Sequence, residues 1–352
     1  MPQPRACILS VSGHALTDGE KTLLARANPW GMILMGRSCA TPAQVKALIS
    51  EVHDITGRET LFFIDQEGGR VRRLRPPEWP DFPAPGAYMP LFRADPDLGC
   101  EAVWLHHRLM AAELAPMGLR ADCAPCCDLL HIGHHEIVGD RAFGETPGEV
   151  GAMAIAALEG LADGGVAGVI KHIPGHGRAE VDSHETMPVV RASRIEIERD
   201  ITPFTAVRHA TMAMTAHLAY ESLDDEHTPA THSPKIISEI IRGEIGFDGL
   251  LMTDDLGMKA LGGTLASRAT RALAAGCDVI LHCAGLDAWS KVQRDPAIVL
   301  REMNEIVDAC PELSGDALRR AKAADAAIRS PKPFDKAEGR ARMEALLARA
   351  IG

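Results

Sequence analysis

One stretch of the chain concentrates groups that can move protons and hold a polar ligand: Lys171-His172-Ile173-Pro174-Gly175-His176-Gly177-Arg178-Ala179-Glu180-Val181-Asp182-Ser183-His184. It follows the apolar run 166–170, so a strand positions it, while its glycines and proline mark a loop free to close over a ligand. Asp182 stands two residues from His184. A carboxylate beside an imidazole orients the ring and raises its proton affinity, so that the ring can donate a proton and later take one back. His172, next to Lys171 at the strand end, is placed to hold ligand hydroxyls, and His176 lies between two glycines that allow a tight turn. One histidine alone could serve a loop hydrogen bond. Three in one loop argue for chemistry.

A second constellation is Leu250-Leu251-Met252-Thr253-Asp254-Asp255-Leu256, an apolar strand that delivers two adjacent acids at its end. Successive strand side chains face opposite ways, so only one acid can enter a site while the other anchors the loop or caps a helix. Asp254 is the candidate nucleophile, base or metal ligand. A third is Asp65-Gln66-Glu67-Gly68-Gly69-Arg70-Val71-Arg72-Arg73, in which a strand-end acid can accept from vicinal hydroxyls and an arginine can donate to them in a fixed fork. Arg141 is a similar candidate on the next long loop, although either arginine could equally be a surface residue. The stretch 123–135 holds Cys123, Cys126, Cys127, His131, His134 and His135, but lacks the second, separated ligand pair usual in structural zinc sites, so no metal is expected.

These groups need elements to position them. Apolar runs at 6–11, 31–35, 61–64, 119–124, 166–170, 212–215, 250–253 and 279–281 read as strands. Helical patterns at 44–55, 100–117, 147–162, 236–241 and 265–275 lie between them, with Thr41-Pro42 and Ser233-Pro234 as N-cap signals. Alternation of this kind predicts an α/β fold, a (β/α)8 TIM-type barrel in one domain over 1–352. The barrel should occupy about 5–290, with a helical extension over about 291–352, including 314–329, packed outside. A doubly wound sheet is less favoured because no G-x-G-x-x-G follows the first strand. Asp65, Lys171, His172, His217 and Asp254 then fall at the C-terminal ends of different strands, the face on which barrel active sites are built.

Composition narrows the function. At 352 residues with 46% apolar content and a net charge of −11, the chain is an acidic globular protein, and nucleic acid or an anionic membrane is not expected as partner. The basic run 70–75 is the exception and reads equally well as a solvated surface. No run reaches membrane-spanning length, and 6–11 is too short for a signal segment. Nine cysteines without framework spacing suggest reduced thiols, hence a cytoplasmic protein. A monomer without cofactor is expected.

The stretch 171–184, the segment 65–73 and Gly246-Phe247-Asp248-Gly249-Leu250-Leu251-Met252-Thr253-Asp254-Asp255-Leu256-Gly257-Met258 together resemble family 3 glycoside hydrolases, in particular their single-domain bacterial β-N-acetylglucosaminidases, from about residue 10 to 287. The resemblance implies that Asp254 is the nucleophile, that His184 and Asp182 form the acid/base dyad, and that Asp65, Arg73, Arg141, Lys171 and His172 bind the sugar. It further implies two-step retaining removal of terminal GlcNAc from muropeptide fragments in cell-wall recycling. Because an imidazole adds no negative charge at the acid/base position, a GlcNAc phosphorylase is a rival reading, as is a broader β-glucosidase with the same site. A zinc-dependent protein built on 123–135 and a barrel that binds sugar without turnover are rivals of other classes. Ile173, Thr253, Gly257 and Cys126-Cys127 depart from the residues usual in the family, and none of these changes removes a catalytic group. Aromatic content of 4% suits a short ligand better than a long polysaccharide.

Overall fold

The computed structural model describes residues 3–133, 136–179, 187–258, 260–285 and 294–349. Among these, parallel strands β1 (Arg5–Leu9), β2 (Pro29–Leu34), β3 (Leu61–Ile64), β4 (Ala121–Asp122), β5 (Ala167–Ile173), β6 (Met212–Thr215), β7 (Leu250–Asp255) and β8 (Val279–His282) close into a barrel, each paired with its neighbours in chain order and β8 with β1. Closure is recorded by the pairing of Leu9 with both Met32 and His282. This is the expected (β/α)8 barrel.

Period-two alternation sorts each strand between two cores. Phe63, Val169, Met214 and Met252 pack with Ile8 and Leu281 in one buried cluster inside the ring. Phe62, Ile170, Ala213 and Leu251 join the surrounding helices in another. The inward series 61, 63 continues to Asp65, the series 167, 169 to Lys171, and the series 250, 252 to Asp254. The register shifts between Arg5 and Ile8 on β1 and, at the C-terminal rim, between Lys171 and Ile173 and between Met252 and Asp255.

The expected strands 61–64 and 212–215 and helix 265–275 have the observed limits. Lys171, His172 and Asp254, expected just after their strands, lie within β5 and β7. The expected strand 119–124 contracts to Ala121–Asp122. Thr41 accepts from Gln44 N at the start of Pro42–Thr56, and Ser233 accepts from Ile236 N, as their N-cap signals predict. Segment 236–241 is part of a π-helix, Ile236–Glu244, rather than an α-helix.

The last helices lie outside the strand ring. Pro296–Ala309 reaches Asp18–Ala27 through Arg26, which donates to Asn304 and Asp308. Gly315–Ala327 closes the N-terminal end of the barrel: Ala321 and Ala324 join the inner cluster, and Arg320 bonds Asp248 and Asp278. Lys336–Arg349 lies along Pro96–Leu114 through the Arg342–Glu101 pair.

Candidate active site

At the C-terminal mouth of the barrel, Asp65, Arg73, Arg141, Lys171, His172 and Asp254 line one cavity of about 100 Å³. Six candidates drawn from four separate segments of the chain therefore share a single space. Asp182 and His184 lie outside the described residues, as do His134 and His135.

Asp65 is gripped from two sides, by Lys171 Nζ at 3.0 Å from Oδ1 and by Arg73 Nη2 at 2.8 Å from Oδ2. Burial pushes its carboxyl up, but the attraction of Lys171 and then Arg73 outweighs it and holds the group ionised, well below the usual range. Within the basic run, the arginines do not share one fate. Arg73 is buried against Asp65, whereas Arg70 and Arg72 pair at the surface with Asp140 and Asp81.

Glu67 was not singled out from sequence, yet it is as central as Asp65. It is 1% exposed, accepts two parallel hydrogen bonds from Arg141 Nε and Nη2, both 2.8 Å, and lies 2.7 Å from Lys171 Nζ. Burial raises its carboxyl while Arg141 and Lys171 lower it to about 2. Lys171 is itself pushed up, its burial overcome by Glu67 and Asp65. Three cations thus face two permanently ionised carboxylates, and Asp254 supplies a third negative group in the same cavity.

Asp128 is the second residue missed. Its buried carboxylate accepts from His172 Nδ1 at 2.7 Å, His172 N at 3.2 Å, His176 N at 2.6 Å and the Cys126 thiol at 3.2 Å. With Nδ1–H donated to Asp128, the other nitrogen of His172 faces the cavity, 3.5 Å from Arg141 Nη2 and 3.9 Å from Asp254 Oδ2. The same carboxylate secures the beginning of the loop. Tyr220 Oη donates to Gly175 O at 2.6 Å, Arg178 Nε to Asp200 at 2.5 Å, and a Cβ at Gly177 would overlap the Leu129 carbonyl oxygen. Residues 174–179 are buried and anchored almost throughout.

The two acids of β7 divide as the strand geometry requires. Asp254 keeps 19% of its side chain exposed toward the cavity, and its Oδ1 accepts from the backbone of Asp255 at 2.7 Å. Asp255 anchors the turn, accepting from Gly257 N at 3.0 Å and Cys283 N at 2.9 Å, and its Oδ1 lies 3.5 Å from His282 Nδ1. His282 is also 3.2 Å from Glu302 on Pro296–Ala309. His217 holds Thr231 and the Asp255 carbonyl; burial lowers its proton affinity, and it serves to brace β7. The cysteines of 123–135 part company: Cys123 packs inside the ring, Cys127 packs in the outer core, and Cys126 meets Asp128.

A parallel barrel with an inward acid at the end of β7 and an ion-paired carboxylate at the end of β3 is the frame of a barrel hydrolase that binds a polyhydroxylated ligand. The sequence matches the glycosyl hydrolase family 3 N-terminal domain over residues 7–309, and the chain belongs to that family. It is 37% identical over 295 residues to the β-hexosaminidase of Alkalilimnicola ehrlichii, covering 82% of this chain and 83% of that protein. Its fold is similar to NagZ from Neisseria gonorrhoeae in complex with zinc ion, with TM-score 0.82, 27% identity and coverage of 100% and 99% of the two chains. The same protein in complex with N-trifluoroacetyl-D-glucosamine gives TM-score 0.77 at 27% identity, with the same coverage. The protein is thus a glycoside hydrolase of the β-N-acetylhexosaminidase type.

Proposed function

We propose that the protein is a retaining exo-β-N-acetylglucosaminidase that removes terminal non-reducing β-linked GlcNAc from peptidoglycan fragments in cell-wall recycling. The observation that carries the reading is the placement of Asp254 at the end of the inward series on β7, in one cavity with the ion-paired Asp65. Asp65 accepts from vicinal sugar hydroxyls, while Arg73, Lys171, Arg141 and His172 donate to or orient the ring. Asp254 attacks the anomeric carbon, and His184, partnered by Asp182, protonates the departing glycosidic oxygen. Water, deprotonated by the same imidazole, then cleaves the glycosyl–Asp254 bond and restores the carboxylate.

No helix among the described residues is long and apolar enough to cross a membrane, and all nine cysteines are free. These thiols support a cytoplasmic protein, which we take to act as a monomer. Product analysis with an aryl β-GlcNAc glycoside, with and without phosphate, tests the function. Release of GlcNAc independent of phosphate, together with digestion of GlcNAc-terminated peptidoglycan fragments, is the expected result. GlcNAc-1-phosphate as the phosphate-dependent product would replace the hydrolase with a phosphorylase.

A further inference from the structure

Behind the cavity wall, the Cys126 thiol and the His172 imidazole both point their protons at one carboxylate, that of Asp128. Sγ lies 3.2 Å and Nδ1 2.7 Å from Oδ2. All three residues are buried, and the three ligand atoms lie within 4.8 Å of one another. The geometry points to a binding site for a borderline-soft divalent cation, of the zinc, cobalt or cadmium class, held by Cys126 Sγ, Asp128 and His172 Nδ1.

Three arguments support this site. The donor set, one thiolate, one imidazole and one carboxylate, suits such cations and not magnesium or calcium, which take oxygen ligands. The spacing is close to what binding needs. Bonds of about 2.0–2.1 Å to nitrogen and oxygen and about 2.3 Å to sulfur, arranged tetrahedrally, separate N from O by about 3.3 Å and S from O by about 3.6 Å. The present contacts need to open by only about half an ångström. Finally, the proton accounting needs no redox partner: the cation displaces the Cys126 thiol proton to buffer, the imidazole proton passes from Nδ1 to Nε2 on the cavity side, and the one positive charge gained lies near the Asp254 carboxylate, 3.9 Å from Nε2.

Binding would act on the sugar site. Opening the Asp128–His172 contact moves the imidazole toward Arg141 and Asp254, the groups it already faces at 3.5 and 3.9 Å. That consequence rests on the proposed role of His172 in holding the sugar, whereas the binding itself does not.

The test is titration of the full-length, chelator-treated protein with Co2+, followed by absorption. A thiolate-to-cobalt charge-transfer band in the near ultraviolet is expected, bleached by Zn2+, with one equivalent bound. The band should vanish in Cys126→Val and Cys126→Ser and persist in Cys127→Val. Absence of the band in the parent protein, or its persistence without the Cys126 thiol, would overturn the site. In parallel, Zn2+ should inhibit aryl glycoside cleavage at least ten-fold more weakly in Cys126→Val than in the parent, each measured against its own metal-free rate. Equal inhibition of both proteins would show that zinc acts elsewhere and would reject the functional link. A protein with no glycosidase activity would still bind cobalt as described, so the two proposals fail separately.

Discussion

Arg141 and Glu67 meet through two parallel hydrogen bonds of 2.8 Å, and the carboxylate shares its Oε1 with Lys171 at 2.7 Å. This arrangement ties the loop carrying Arg141 to the residue two beyond Asp65, so the wall of the cavity is set by ion pairing between segments far apart in sequence. Removing one partner of a buried pair strands the other charge. Glu67→Gln, which removes the carboxylate partner of Arg141 and leaves Lys171 with Asp65 alone, should destabilise the fold by about 3–5 kcal/mol. Urea denaturation monitored by circular dichroism measures it, and a loss under about 1 kcal/mol would place this pair among exposed ones.

Asp254→Asn should keep the fold and lose turnover of an aryl β-GlcNAc glycoside by a factor on the order of 10⁴ or more, the scale on which loss of a nucleophile is felt in other covalent mechanisms. Steady-state kinetics on protein with a parent-like melting curve decides it. Activity within ten-fold of the parent would remove Asp254 from the nucleophile position.

Asp65→Ala removes an ionised acceptor held by Lys171 and Arg73. A charge-assisted hydrogen bond contributes about 1.5–3 kcal/mol, so kcat/KM should fall roughly 10- to 150-fold. If Asp65 only shapes the cavity, Asp65→Asn would restore the loss; if its charge binds hydroxyls, Asp65→Asn stays impaired.

His282 titrates outside the physiological range. Burial disfavours its charge, but the neighbouring carboxylates of Asp255, 3.5 Å from Nδ1, and Glu302, hydrogen-bonded to Nε2, raise it from 6.5 to about 9. A folded value above the unfolded one stabilises the protein fully below about pH 6.5, and the contribution is lost as pH rises through about 9. The stability difference between the parent and His282→Gln should therefore shrink across that window. Denaturation midpoints at a series of pH values report it, and a difference independent of pH there would show that His282 is not charged in the fold.

Much of this architecture is legible before any coordinates. The runs 61–64 and 212–215 are short, apolar and sharply bounded, and both are strands with those limits. Period-two reasoning separates Asp254 from Asp255 correctly, because each side chain has one face available. Other features carry no such mark. Helix Arg194–Ala206 has a polar exposed face and a proline inside it, which blurs the 3.6-residue signal. The π-helix Ile236–Glu244 has the composition of an α-helix and differs only in its hydrogen bonding. Glu67 and Asp128 gain their importance from partners 74 and 44 residues away, Arg141 and His172, a pairing that only folding creates. The Asp65–Gln66–Glu67 spacing hinted at Glu67, and a lone acid after two cysteines hinted at nothing.

The seam between β1 and β8 has a consequence for how the polypeptide reaches this state. Leu9 pairs with His282, and Arg5 donates to the carbonyls of Val307 and Cys310. During vectorial synthesis β1 must wait, one edge unsatisfied, until β8, which ends at His282, has emerged from the ribosome. The ring around the acid of β7 thus closes only after all eight strands have been made, and a chain released before β8 would present an open sheet edge to its neighbours.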